Sequence, residues 1–593
     1  MTLLAGVFSR RHDTDVPASV CEAIKRALSR RPDECVTEFR DGRVYLAKLD
    51  INAYGEPAYR VDPCGSVTML AGEPILGCDN EGANAGRSHD LQVLHQSWDR
   101  EDWSVLQGTQ GLFSAVYYRP KPATLSLITD KLGVRRLYYW AGESLFVFAS
   151  ALRILESLDI VPKVMNLRGV TEIEGLGYAL DDRTPYVGVA ALRAAEILKC
   201  SDNRLSYHHY WRWDTIPISK LPESELLVKV HNRFRLATAR RLRGDRTAVA
   251  LLSGGLDSRC VVAFLRMHSA AVYTFNYSPR GTMDQIYGAT FAKKVGAVHH
   301  ETDVRINYPE LFKAHNDAWN AAQNRENYFV ERPRLIWTGN DGSFTLGHLW
   351  LSEDIVSMPR MGKLNLAIDQ LLLNRKIDIK RRIFRRKFRR ALSLSDVVSS
   401  GMREEVDKFE HEDPARNLYI FFMLHNMRKH LGNYFENIDL HGLEMQTPFM
   451  DADFLSSILT VPLDFCIRHR FYTKWLYLLD PVVTSVPWQV YPGHEPCPVR
   501  PAETMSEEDE DRAYSAWQTV FNREVTAQFK KLLRGDFFFH PLLNMPYLQA
   551  AALIHGLEMR DYSYALRTAI LYQRYWTACS GRYELPDLEQ RSR

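Results

Sequence analysis

The chain has 593 residues, too long for a single hydrophobic core, so two or three domains are expected. Its 46% hydrophobic and 25% charged residues are those of an ordinary globular protein, and a formal net charge of +3 gives no global case for binding nucleic acid. No apolar run approaches the roughly 20 residues of a membrane span, Met1 to Leu4 lacks the charged n-region of a secretory signal, and the nine cysteines show neither a C-x-x-C nor paired zinc spacing. Buried free thiols in a reducing cytoplasm are the expectation.

Residues 1–150 alternate apolar and polar in short runs broken by Gly, Pro and Asp, as in Arg43-Val44-Tyr45-Leu46-Ala47 and Leu125-Ser126-Leu127-Ile128. The pattern predicts a β-rich layered domain. The run Gly111 to Tyr118, then Leu125 to Tyr139 with Asp130, Gly133, Arg135, Leu137 and Tyr138, resembles the end of the glutaminase domain of asparagine synthetases, a strand, a turn and R-D-x-x-G-x-x-P-L-Y. The resemblance implies an Ntn-type, four-layer amidohydrolase fold. In that family the cysteine after the initiator Met is the N-terminal nucleophile. Here Thr2 stands there, and the family's Asn-Gly oxyanion pair falls on Ala71-Gly72, which removes a side-chain donor. Thr serves as an N-terminal nucleophile elsewhere, so Thr2 alone does not decide the point. The expectation is a degenerate glutaminase-like domain, with an acceptor amine that is not ammonia cut from glutamine. Residues 151–225, with Thr184-Pro185-Tyr186 and Tyr210-Trp211, resemble the segment joining the two domains of that family and are read as a packed connector.

Residues 226–593 are read as the second domain. Ala248 to Leu252 form an apolar run, Ser253-Gly254-Gly255-Leu256-Asp257-Ser258 is a Gly-rich turn, and Cys260 to Met267 continue at helical spacing. A strand, a glycine turn and a helix N-terminus gather backbone N–H groups around one point, where the helix dipole favours an anion. Asp257 supplies a hard oxygen for Mg²⁺. A Walker P-loop needs Lys where Asp257 stands. The stretch instead resembles the S-G-G-x-D-S pyrophosphate loop of the ATP-pyrophosphatase family, which makes acyl-adenylates. Strand–helix alternation through Val272 to Tyr277 and Asp284 to Val295 predicts a doubly wound parallel sheet with helical additions, α/β beside the α+β first domain. The resemblance implies ATP contacts at Leu251, Ser253, Gly254, Gly255, Asp257, Ser258, Phe275 and Gly339, with adenine held by backbone near Leu251 and Phe275. His299 and His300 are adjacent on an extended segment, where they point oppositely, and are read as structural.

Thr338 to His348 occupies the place of S-G-E-G-A-D-E in asparagine synthetases. Asn340 falls on the Glu and Ser343 on the metal-binding Asp, which leaves Asp341 as candidate second Mg²⁺ ligand or as a turn-capping residue. This departure argues against asparagine synthesis, and the loop resembles that of lasso-peptide cyclases. Gly442-Leu443-Glu444-Met445-Gln446-Thr447-Pro448-Phe449-Met450-Asp451 and Thr473-Lys474-Trp475-Leu476 resemble L-E-x-R-x-P-F-L-D and T-K-x-x-L. The resemblance makes Lys474 the lysine on phosphate and intermediate, and Glu444 a catalytic candidate. The basic stretch 375–390 places Ile379, Ile383, Phe384 and Phe388 on one helical face. It is read either as a solvated covering helix or as a surface for a peptide, protein partner, membrane or RNA, with an acidic peptide or partner preferred. The acidic run 507–511 is read as solvated, and the stretches 514–521 and 566–575 as helical.

Together these readings predict an ATP- and Mg²⁺-dependent lasso-peptide cyclase. It would adenylate an Asp or Glu side chain of a precursor core peptide and close a macrolactam with the peptide's N-terminal amine. A leader peptidase and a leader-recognition protein are the expected partners, with no nucleic acid and no membrane span. A β-lactam-type synthetase, a silent nucleotide-binding scaffold and a free-ammonia asparagine synthetase are the rivals.

Overall fold

In this computed structural model the described residues are 2–31, 34–76, 85–202, 204–268, 270–301, 330–375, 377, 381–489, 491, 493–499, 522–531 and 540–586. Leu3 to Ser9 are buried throughout because β1 (Thr2–Ser9) is flanked by strands on both edges and covered on both faces. Its partners are β3 (Val44–Asp50) and, further on, β9 (Leu145–Ala149), both antiparallel. With β2 (Val36–Asp41), β8 (Tyr138–Ala141) and β11 (Val189–Ala191) they make a six-stranded sheet ordered β11-β8-β9-β1-β3-β2. A second six-stranded sheet, β13-β12-β7-β6-β5-β4, takes in β4 (Tyr59–Val61), β5 (Val67–Gly72), β6 (Phe113–Pro120), β7 (Ala123–Thr129), β12 (Glu196–Ser201) and β13 (Arg204–His209).

β1 packs on β5, the helix Ala18–Leu28 covers the first sheet and the helix Arg87–Asp99 covers the second. The layers are helix, sheet, sheet, helix. Leu94 and Trp98 of the second helix join Leu70, Phe113, Tyr117, Ile128 and Ile197 in one buried cluster, which is where the strand alternation sends its apolar residues. β12 and β13 correct the expectation of a connector over 151–225. Part of that stretch completes the second sheet, paired to β7 through Ile197–Ile128 and its neighbours. β13 lies at the sheet edge with mostly exposed side chains, so its composition reads as linker.

Residues 1–158, 192–353 and 422–513 form one compact unit, so this unit also holds a third sheet. Its strands are β14 (Thr247–Leu251), β15 (Ala271–Asn276), β16 (Val298–Glu301), β17 (Leu335–Trp337) and β18 (Glu444–Gln446), ordered β16-β15-β14-β17-β18 with every pairing parallel. The strand order runs from β14 to β16 on one side and through β17 to β18 on the other. The switch point therefore lies between β14 and β17, where ligands of open parallel sheets bind.

Residues 159–191, 354–421 and 514–593 form a second, mainly helical unit. The helix Leu167–Leu176 packs on Leu394–Val406 and on Ser563–Ala578, and Ser563–Ala578 packs on Met545–Gly556. Tyr572 is fully buried with its hydroxyl 2.7 Å from Thr171 Oγ1. The basic stretch contradicts its expected helix. Its described part forms two short 3-10 turns, Arg381–Ile383 and Arg386–Phe388, which bury Ile383, Phe384 and Phe388. Phe384 pairs with Leu543 in an isolated bridge and meets Tyr572 edge-on at 5.1 Å. Ile379, the acidic run 507–511 and the stretch 514–521 lie outside the described residues.

Candidate nucleotide site

β14 ends at Leu251, and the chain turns through Ser253, Gly254 and Gly255 into the helix Leu256–Met267. Gly255 sits at the N-cap, so no side chain satisfies the first helical amides. The loop is cross-tied by its own serines. Ser253 N donates to Ser258 Oγ (3.0 Å), the two hydroxyls lie 3.1 Å apart, and Gly255 N donates to Ser253 Oγ (3.2 Å). Two glycines are required by close approach: a Cβ on Gly254 would sit 2.6 Å from Met283 O, and one on Gly339 would sit 2.3 Å from Ser258 N. Gly339 belongs to the loop after β17. The two loops thus meet at the switch point.

Asp257 is where they lock. Ser343 donates to Asp257 Oδ2 from both its backbone N and its hydroxyl, each at 2.9 Å, and Tyr472 donates its hydroxyl to Oδ1 at 2.7 Å. Burial pushes the Asp257 carboxyl above the usual carboxylate range, against the pull of Tyr472 and Ser343. Asp341, at φ +79°, is 5% exposed and held well above its ordinary value by burial and by the charge of Asp257. Its Oδ1 is 3.5 Å from Asn426 Nδ2, and its Oδ2 is buried without a hydrogen bond.

A cavity of about 340 Å³ opens over the loop, lined by Ser253, Gly255, Leu256, Asp257, Asp284 and Ser343 on one side. Its far wall is His469, Thr473, Trp488, Gln489, Tyr491, His494 and Glu495. Asp284 accepts from Gly254 N at 3.2 Å and stands in the first turn of the helix Met283–Lys294, capped by Thr282. His469 and His494 hydrogen-bond through their Nδ1 atoms, and burial with the neighbouring His494 pushes His469 down to about 3, so its imidazole is neutral at pH 7. Arg259, fully buried, holds the wall to the loop: it donates to Gly254 O (3.2 Å), Val483 O (3.1 Å), Val486 O (2.8 Å) and Pro487 O (3.1 Å). Burial lowers its guanidinium to about 10, which still leaves it charged at neutral pH.

Of the residues expected from sequence, Ser253, Gly255 and Asp257 face this cavity, while Gly254, Ser258 and Gly339 shape the loops behind it. Phe275 is buried in β15, its carbonyl accepting from Leu252 N at 2.8 Å and its ring stacked on His300. His299 instead hydrogen-bonds Thr274 Oγ1, so the pair does point oppositely. Asp341 is not among the lining residues; the second loop-side carboxylate that lines the cavity is Asp284. Lys474 is turned away. It is 53% exposed and its Nζ lies 2.7 Å from Glu223, because successive helical positions point about 100° apart and Thr473 takes the cavity-facing one. Glu444 is also elsewhere, buried at the end of β18 in an ion pair with Arg135, which also donates to Leu112 O. The rest of its motif shares that role. Gln446 Nε2 donates to Glu73, and Asp451 pairs with Arg240 and Arg241. These contacts seat the parallel sheet against the layered domain. Asp284, Tyr472, Trp488 and His494 were missed; only Asp284, two residues after a capping Thr at a helix start, carries a local signal.

The donor set fits Mg²⁺ and a triphosphate. Asp257 and Asp284 are oxygen ligands on the cavity wall, the Asp257 carboxylate accepts from three donors and so keeps lone-pair capacity, and Asp257 and Asp341 repel each other unless a cation is near. The first amides of the helix Leu256–Met267, which no side chain caps, supply the anion side.

Residues 79–211 match the glutamine amidotransferase domain and residues 229–324 match asparagine synthase, so over these two stretches the chain resembles asparagine synthetases. Asparagine synthetase (glutamine-hydrolyzing) 3 of Bacillus subtilis is 30% identical over 241 residues, 38% of this chain and 38% of that protein. A putative asparagine synthetase (glutamine-hydrolyzing) 2 of Methanocaldococcus jannaschii is 22% identical over 201 residues, 33% of this chain and 39% of that protein. The chain thus spans about two-fifths of the length of these curated relatives. A glutamine phosphoribosylpyrophosphate amidotransferase from B. subtilis, solved with ADP and GMP, covers 50% of this chain and 90% of its own at 11% identity and a TM-score of 0.26. Among the described residues no helix is long and apolar enough to cross a membrane.

Proposed function

We propose that this chain is a ligase of the lasso-peptide cyclase type. ATP is cleaved between its α and β phosphates to activate an Asp or Glu side chain of a precursor peptide. The peptide's own N-terminal amine then attacks the acyl-adenylate, expelling AMP and closing a macrolactam. The observation that carries the reading is the cross-tied Ser253–Ser258 loop at a helix N-terminus, with Asp257 and Asp284 on the wall of one cavity of about 340 Å³. Mg²⁺ held by Asp257 and Asp284 would offset charge on the departing pyrophosphate. The first amides of the helix Leu256–Met267 bind and orient the β and γ phosphates, and Trp488 and Tyr491 give the peptide an apolar wall.

A peptide amine in place of ammonia is supported by Thr2 where the glutaminase family has Cys. It is supported also by Ala71, which lines a void of only about 10 Å³ with Ser114 and Ser150, room for a single water. The cyclase would work in the cytoplasm after a leader peptidase, with a leader-recognition protein delivering the peptide. The test is to supply ATP, Mg²⁺ and leader-free peptides with an acidic core residue, then follow AMP, pyrophosphate and loss of one water from the peptide mass. Ring closure with AMP supports the reading, and accumulation of ADP overturns it.

One observation favours a second reading. Among the described residues no Lys or Arg lines the cavity, and Lys474 is engaged by Glu223, as expected of a catalytically silent scaffold that only binds nucleotide. Nucleotide binding without pyrophosphate release on any peptide would select it.

A further inference from the structure

A second cluster of ligating groups lies in the layered domain, apart from the nucleotide loop. His95 and Asp99 are one turn apart near the C-terminal end of the helix Arg87–Asp99, and Asp62 faces them from the turn between β4 and β5. That turn is fixed by its own backbone, with Asp62 N bonded to Ser66 O and Gly65 N to Asp62 O. The three facing atoms, His95 Nε2, Asp62 Oδ2 and Asp99 Oδ2, come within 4.8 Å of one another.

The outward atoms of the same residues are already committed. His95 Nδ1 is 2.7 Å from Thr68 Oγ1, Asp99 Oδ1 accepts from Tyr117, and Asp62 Oδ1 is 3.4 Å from Arg60 Nε. This is the outer shell that fixes a ligating imidazole and its carboxylates. His95 is completely buried, yet its Nε2 makes no hydrogen bond although carboxylate oxygens lie 3.0 and 3.4 Å away. Two carboxylate oxygens near a buried nitrogen that hydrogen-bonds neither are placed as co-ligands of one ion would be. Bonds of about 2.0–2.2 Å at angles of about 90–110° put ligand atoms about 2.8–3.6 Å apart, and both separations fall in that range. The carboxylates are 22% and 26% exposed, which leaves an approach for the ion and for water as a further ligand.

We propose that Asp62, His95 and Asp99 bind one divalent transition-metal ion, with Zn²⁺ the best match to one imidazole and two carboxylates. The ion would clamp the β4–β5 turn to the helix Arg87–Asp99 and so brace the outer layer of this domain. It is independent of the nucleotide site and of the reaction proposed there.

The experiment is a Zn²⁺ titration of the chelator-stripped full chain against a chromophoric competitor, with the thermal midpoint read at saturation. The expected result is one tight equivalent and a raised midpoint. Asp62→Asn and Asp99→Asn, which preserve side-chain volume, should each weaken that equivalent about 10- to 100-fold and lose the midpoint rise, and Asp257→Asn should retain both. No tight equivalent in the parent chain, or equal binding in Asp62→Asn and Asp99→Asn folded to the parent's circular dichroism spectrum, would overturn the assignment and leave a plain imidazolium–carboxylate triad.

Discussion

Removing one hydroxyl tests how the Asp257 carboxylate is kept ionised. Tyr472→Phe deletes the donor 2.7 Å from Asp257 Oδ1 and keeps the ring that stacks on His469 (5.9 Å, 18°) and tilts against Trp475 (5.9 Å, 53°). A hydrogen bond to a charged acceptor contributes about 1.5–3 kcal/mol, and one pKa unit corresponds to about 1.4 kcal/mol. Losing the bond therefore raises an already elevated carboxyl further. Only the ionised form holds a cation against the loop. The acid limb of pyrophosphate release should accordingly move to higher pH, with the alkaline side unchanged. The assay is peptide-dependent pyrophosphate release from pH 5 to 9 for parent and variant. An acid limb that stays put, or moves to lower pH, refutes the claim that Asp257 is the titrating group.

Glu444→Gln breaks a buried ion pair with Arg135, and the loss of one partner costs about 3–5 kcal/mol. Denaturant unfolding should show that loss, while activity per folded molecule holds, since Glu444 does not reach the cavity. Lys474→Ala removes only an exposed pair with Glu223, worth about 0–1 kcal/mol, and pyrophosphate release should stay near the parent rate; a collapse in rate would return Lys474 to the chemistry. In the helical unit, burial raises Glu174 from 4.5 to about 7, with Thr568 donating to it at 2.6 Å. The folded state then binds the proton more tightly than the unfolded one, so this group's contribution is full below pH 4.5 and is lost as pH rises towards 7. Glu174→Gln should therefore gain thermal midpoint relative to the parent between pH 5 and pH 8, and no pH-dependent gain would show that Glu174 titrates normally.

The geometry of the Ser253–Ser258 loop was legible because its parts are contiguous: strand, glycines and helix start stand within a dozen residues, and their local geometry follows from their order. The layering of the first domain was legible for a similar reason, through alternation in β3, β5, β6 and β7. What failed was long-range. Glu444 meets Arg135 across 309 positions, a buried pairing that a motif read locally does not show. The structure turns Lys474 one helical step away from the cavity, which no pattern resolves when its neighbour Thr473 is equally plausible. Trp488 and His494 lie in irregular chain that carries no period, and their place at the cavity follows from Arg259 gripping the carbonyls of Val483, Val486 and Pro487. The basic stretch was misjudged because charge and apolar spacing were read at helical period, whereas Phe384 and Phe388 are buried from short turns.

The most direct test of the account is exchange of radiolabelled pyrophosphate into ATP, run with Mg²⁺ and an acidic-core peptide, on the parent chain and on Asp257→Ala. The account predicts peptide-dependent exchange in the parent and background exchange in the variant. Equal exchange in both, or ADP as the product of the parent reaction, would contradict it.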